Sequence, residues 1–196
     1  MYERIHDELD GDAWLVGRVT MAEMTKATAH PPASVTDVAR PVHVATRADS
    51  YAVALDPSGK LHFDGGTLGD DHVVVLLGRD VPDDHLAELA NDGVSYVVAT
   101  AATIDIAAML HVLGDAFGIR RLLLEGGAGI NGSLLAAGVV DEMHVLLAPA
   151  IDGGTDTPSI IANGTEGLAG KVRLRFRSAT PVDHGVVHLR YAVEPA

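Results

Sequence analysis

Three short stretches combine residue types and spacings suited to chemistry on a bound ligand. Residues 121–138 read RLLLEGGAGINGSLLAAG, an apolar run into Glu125, then Gly126, Gly127, Ala128 and Gly129, then a pattern that predicts a helix. Glycines let a backbone approach a ligand without interference from a Cβ, and the N–H groups at a helix start attract phosphate. The same glycines would equally serve tight strand–helix packing with no ligand. We read the stretch as a glycine turn rather than as the dinucleotide-binding fingerprint or the Gly-Lys-Ser/Thr phosphate loop. Residues 13–20 read AWLVGRVT, a strand that ends at Gly17 and leads through Arg18 to Thr20, which is placed to cap a following helix at Met21–Met24. Residues 40–47 read RPVHVATR, a buried strand carrying Thr46 and Arg47 to its carboxyl end, where ligands of open α/β sheets collect. There Arg47 is either a solvated surface charge or a fork for a phosphate.

These stretches need a scaffold, and the rest of the pattern supplies one. Ala13–Val16, Val42–Thr46, Val73–Leu77, Val94–Ala99 and Arg121–Leu124 are short, rich in Val and Leu, and nearly continuous in apolar character. Strands buried on both faces of a parallel sheet look like this. Met143–Ala148 fits as another. Between them, Pro82-Asp83-Asp84 opens a helix through Asn91 with Gly93 just past its end. Thr103 is placed to cap a helix carrying Ile106, Met109, Leu110 and Leu113 at helical spacing. Asn131–Ala137 predicts a short helix stopped by Gly138. Towards the end, Val172, Leu174 and Phe176 alternate with charged residues, and Val186–Val193 predicts a hairpin partner joined across Pro181–Gly185. These late antiparallel strands suggest a mixed sheet. Ala27–Arg40 and Asp56–Asp71 read as long loops.

Composition narrows the function classes. At 196 residues the chain suits one well-buried domain. Its net charge of −13 argues against nonspecific nucleic-acid binding, which needs Lys and Arg to displace counterions. No apolar run approaches the roughly 20 residues of a membrane span. The N-terminus is acidic and lacks the basic and apolar regions of a signal peptide, so a cytoplasmic protein is expected. Cysteine is absent, which removes disulfides, thiol nucleophiles and Cys-based zinc sites. Among the 10 histidines, His184 and His188 are four apart, but no carboxylate pattern completes a ligand set, and no metal centre is expected.

Together, strand-Gly17-Arg18-x-Thr20-helix, a strand ending in Thr46-Arg47, and a strand ending in Gly126-Gly127 resemble the dihydrofolate reductase superfamily. Residues 125–154 more specifically resemble the reductase domain of the bacterial riboflavin-biosynthesis deaminase/reductase. Its Glu-Gly-Gly turn is here Glu125-Gly126-Gly127, followed by Val140-Asp141-Glu142 and a strand running to Pro149. The resemblance implies a three-layer α/β/α fold with a mixed, mostly parallel sheet, as a single domain over residues 1–196. It implies an NADPH-dependent reductase, working as a homodimer on a small heterocyclic metabolite of the ribosylaminopyrimidine type. A dihydropterin reductase or a non-catalytic nucleotide-binding dimer are the alternatives. The resemblance further implies that Gly17, Arg18 and Thr20 contact the cofactor phosphates and that Thr46 and Arg47 hold the 2′-phosphate. Gly126, Gly127, Ala128 and Gly129 would set backbone N–H groups against the pyrophosphate and nicotinamide, with Glu125 orienting or delivering a proton. The family's opening strand, running into Ser-Leu-Asp-Gly, has no counterpart: Tyr2–Leu9 reads as the helix that follows it. The family's Asp-Asn-Pro triplet after the threonine is also absent, with Met24 in that region.

Overall fold

The computed structural model describes residues 2–34, 37–154 and 159–196. These fall into two compact units, residues 2–127 and residues 128–196. Among the described residues, no helix is long and apolar enough to cross a membrane.

The first unit is built on a mixed, mostly parallel sheet. In chain order it contains α1 (Tyr2–Leu9), β1 (Ala13–Gly17), α2 (Arg18–Thr25), β2 (Val42–His43), β3 (Tyr51–Asp56), β4 (Thr67–Leu68), β5 (Asp71–Leu77), α3 (Asp83–Asn91), β6 (Ser95–Val98), α4 (Ile106–Phe117) and β7 (Leu122–Gly126). The sheet order is β2-β6-β5-β3-β1-β7, with β4 paired to β5. Strands β6, β5, β3, β1 and β7 run parallel, while β2 and β4 run antiparallel to their neighbours. Burial on both faces explains the continuous apolar runs. Val73, Val75 and Leu77 of β5 join a core with Leu86 and Leu89 of α3 and Met21 of α2. The alternate residues Val74 and Leu76 are buried as well. The aromatic ring of Tyr51 on β3 packs edge-on against Phe117 at the end of α4, at 5.7 Å. A strand with period-two side chains thereby fills two layers at once.

Several boundaries differ from the sequence expectations. Strand β3, YAVALD, lies at the centre of the sheet, yet the sequence reading assigned it no element. Its alanines lack the Val/Leu density that marked its neighbours, and burial rather than propensity makes it a strand. The expected strand Val42–Thr46 shrinks to two residues on the sheet edge. Thr103 does not cap α4; Asp105 does, its carboxylate accepting from the Ala108 N–H at 3.0 Å. Thr20 is not a cap either: Gly17 holds that position and Thr20 lies in the first turn of α2.

The second unit contains α5 (Ala128–Ala136), β8 (Glu142–Leu147), β9 (Val172–Pro181) and β10 (Val187–Pro195). The late strands form an antiparallel sheet of their own, ordered β8-β10-β9, instead of extending the first one. The hairpin between β9 and β10 turns through Asp183–Gly185, with His184 at φ 59. That bend takes His184 out of the strand ladder, so the His184/His188 pair does not form one face. His188 instead meets His144, Nε2 to Nδ1 at 3.0 Å. Gly132 of α5 is fixed by close approach: a Cβ there would lie 1.9 Å from the Ala162 carbonyl oxygen. The loop is tied down beside it by Ala162 N–H to Ala128 O at 2.8 Å and by Asn131 Nδ2 to Ile160 O at 2.8 Å.

Candidate functional site

In the first unit, the carboxyl ends of adjacent parallel strands β1 and β7 bring two of the expected glycine segments side by side. Val16 of β1 pairs with Gly126 of β7, and the register slips between Leu15 and Val16. Leu15 faces Leu124, so Glu125 is the extra residue of a bulge. Bulges of this kind re-aim a side chain at the end of a ladder. Beyond it the backbone turns through Gly126 at φ 144 and Gly127 at φ 86, conformations that side chains rarely adopt. A Cβ built on Gly126 would meet nothing within 4 Å, so the turn presents bare, open backbone. Next to it, Gly17 caps α2 with no side-chain hydrogen bond, at φ −77 and ψ 161. Glycine at this position offers no side-chain oxygen to the first N–H groups of α2, and helix starts of this kind attract anions.

The Glu125 carboxylate is held by the N-terminal helix. Its Oε1 lies 2.5 Å from His6 Nδ1 on α1, with the Glu125 side chain 19% exposed and that of His6 35%. Burial first, then the negative charge of Glu125 and a hydrogen bond towards it, push the nearby Tyr2 phenol up to about 12. His6 and Tyr2 thus gather about Glu125 at the end of β7, with His6 bonded to it. Glu125 is legible in the sequence while His6 and Tyr2 are not, because nothing in local spacing links His6 to a residue 119 positions away.

Thr46 and Arg47 do not join this cluster. Because β2 is antiparallel to β6, it carries the chain towards the amino ends of the parallel strands. There the Ala45 N–H donates to Ser95 Oγ and the Ala48 N–H to the Tyr51 hydroxyl, at the first residues of β6 and β3. Both Thr46 and Arg47 are exposed at the opposite end of the sheet from Gly17 and Gly126. They follow the carboxyl end of β2 as expected, but strand direction, which a strand's own sequence does not encode, puts that end with the amino ends of the parallel strands. The cations that follow carboxyl ends of the parallel strands are Arg18 after β1, Lys60 after β3 and Arg79 after β5. Arg79 is engaged by Asp80 at 2.8 Å. A pocket lined by Met24, Thr25, Phe63, Asp64, Thr67 and Leu68 sits at the far end of α2, away from the glycine turn.

In the second unit, Ala128 and Gly129 open α5, and a Cβ on Gly129 would likewise meet nothing within 4 Å. Gly127, Gly129 and Gly132 do carry the G-x-G-x-x-G spacing after a strand, contrary to the expectation that excluded this fingerprint here. The context still differs from the dinucleotide-binding unit. α5 leads into β8, which pairs antiparallel with β10 and not with a parallel neighbour.

A model of the RibD C-terminal domain matches residues 1–188. The chain belongs to this family. Over 195 residues it is 28% identical to the 2,5-diamino-6-ribosylamino-4(3H)-pyrimidinone 5′-phosphate reductase of Methanothermobacter thermautotrophicus, covering 97% of this chain and 84% of that protein. It is 33% identical to the riboflavin biosynthesis protein RibD of Bacillus amyloliquefaciens over 112 residues, 56% of this chain and 29% of that one. In fold it is similar to a pyrimidine reductase-like protein from Corynebacterium diphtheriae, with a TM-score of 0.68 at 20% identity, over 96% of this chain and 78% of that one. RibD from Acinetobacter baumannii follows with a TM-score of 0.61 at 20% identity, over 94% and 47%. Membership of the RibD C-terminal family, whose named relatives are reductases of riboflavin biosynthesis, makes the chain an oxidoreductase and agrees with the α/β fold described above.

Proposed function

We propose that this chain is an NADPH-dependent reductase acting on a phosphorylated ribosylaminopyrimidinone of the kind named for its archaeal relative. One observation supports this above the others: the bare Gly126-Gly127 turn lies beside the uncapped start of α2, on adjacent parallel strands. The open space at Gly126 and the N–H groups at the start of α2 fit a diphosphate, and the nicotinamide cofactor would supply a hydride when bound. Gly17, Arg18 and Thr20 would hold its phosphates, and Gly126, Gly127, Ala128 and Gly129 would line it with backbone. Recognition of a 2′-phosphate falls to a cation at this end of the sheet, Arg18 or Lys60, and no longer to Arg47. Glu125, held by His6 with Tyr2 nearby, would orient the substrate or hand on the proton that a reduced C=N or C=O requires.

The proposal includes a homodimer. One face of the β8-β10-β9 sheet carries Met143, Val145, Leu147, Leu174, Phe176 and Tyr191, none of them fully buried, with Phe176 59% exposed. A contiguous apolar face of this kind suits a self-complementary contact. The deciding assay follows NADPH absorbance with the diaminoribosylaminopyrimidinone phosphate and, separately, with a dihydropterin. Oxidation is expected with the pyrimidine and little with the pterin. NADPH left unoxidised by either would overturn the reading.

A further inference from the structure

A second group of chemistry-bearing side chains lies in the first unit on α3 and the loop that follows β3. His85 and Glu88 are three residues apart, so they share one face of α3. The loop is shaped by the buried Asp56 carboxylate, which accepts from the Lys60 N–H at 2.5 Å and the Leu61 N–H at 2.7 Å. It passes close over α3: a Cβ on Gly59 would lie 3.0 Å from His85 Cδ2. This path sets His62 Nδ1 2.7 Å from Glu88 Oε1 and the rings of His62 and His85 5.4 Å apart, edge to face. One ligating atom from each of His62, His85 and Glu88 lies within 4.8 Å of the other two.

Hydrogen bonding within the protein leaves this group incomplete. Glu88, 2% exposed by side chain, accepts from His62 and from the His30 N–H at 3.0 Å. His85 is 6% exposed, and among the described residues its Nε2 is buried without a partner. A buried imidazole nitrogen with no partner is costly unless something absent from the polypeptide binds it. We propose that His62, His85 and Glu88 form a binding site for a divalent cation of the zinc type, clamping the loop after β3 onto α3. Two imidazole nitrogens and a carboxylate oxygen are a borderline ligand set, better suited to zinc than to calcium or magnesium, which take oxygen cages. Zinc–ligand bonds of about 2.0–2.2 Å place ligand atoms roughly 3.4 Å apart, so modest side-chain rotations close the site. The clamped loop carries Ser58-Gly59-Lys60 away from the carboxyl end of β3, the neighbour of β1, so the cation would stiffen a segment that leaves the sheet one strand from Gly17.

The test is a zinc titration of the full chain, freed of purification tags and stripped with a chelator, read by calorimetry and by thermal unfolding. One zinc per chain at micromolar affinity or tighter is expected, with a raised Tm. Binding should weaken at least tenfold in His85→Gln and in His62→Gln. The second variant alters a partly exposed loop residue and keeps the test valid if the first fails to fold. His188→Gln, at the separate His144–His188 contact, should bind zinc as the parent does. Absence of saturable binding, or binding lost in His188→Gln and kept in His62→Gln, would overturn the proposal.

Discussion

Glu125 owes its position to a one-residue slip in the β1–β7 ladder and its company to α1. A carboxylate bonded to an imidazole, with a phenol near it, can pass a proton without leaving its place, and such groups contribute about 10²–10⁴-fold in rate. Glu125→Gln keeps the size and most of the hydrogen bonding. It should lower kcat by about a hundredfold or more while leaving NADPH binding, measured by fluorescence titration, nearly unchanged. An unaltered kcat would remove Glu125 from the chemistry. The cofactor end offers a paired comparison. A charge-assisted contact is worth about 1.5–3 kcal/mol, so Arg18→Ala should raise the NADPH KM by roughly ten- to a hundredfold if it meets a phosphate. Arg47→Ala should leave that KM alone, because Arg47 lies at the other end of the sheet. The reverse pattern would show that strand direction had been misjudged.

Elements position these residues only where glycine allows it. Along α5, Gly132 lets the Ala162 carbonyl oxygen come within 1.9 Å of where a Cβ would stand, far inside van der Waals contact. Gly132→Ala must push backbone against backbone, and overpacking of this kind costs about 1–3 kcal/mol or more. A lower urea midpoint with an unchanged m-value is the expected outcome; equal stability would mean that the loop around Ala162 moves aside freely. The helices themselves were largely legible. α3 announces itself through acids at the start and glycine past the end, and α4 through apolar residues at spacings of three and four with Gly118 at its close, though not through the residue that caps it. The central strand β3 was not legible. Alanines carry little propensity, and only neighbours on both edges and both faces turn YAVALD into a strand.

At the scale of the molecule, the charge and the apolar sheet face bear on association. A net charge of −13 keeps chains apart in solution unless an apolar patch draws two together. The exposed face of β8-β10-β9 supplies such a patch, with Leu147, Leu174 and Phe176 in it. Phe176→Glu should convert a dimer to a monomer in sedimentation velocity while leaving the far-ultraviolet dichroism intact. A parent chain that already sediments as a monomer would refute the dimer directly.

The sequence by itself determined most of the buried strands and the helices between them, the glycine turn after Glu125, the likeness to a riboflavin-pathway reductase domain and the apolar alternation of β9. Each of these is a local pattern, written in residues a few positions apart, and local propensity and burial periodicity suffice to express it. Tertiary structure alone decided that β2 runs antiparallel and carries Thr46 and Arg47 away from the glycines. It also decided that His6 and Tyr2 reach Glu125, and that His62 meets His85 and Glu88. Strand direction and contacts between distant segments are set by hydrogen-bond partners and packing surfaces elsewhere in the chain. A residue's own neighbours in sequence carry no record of them.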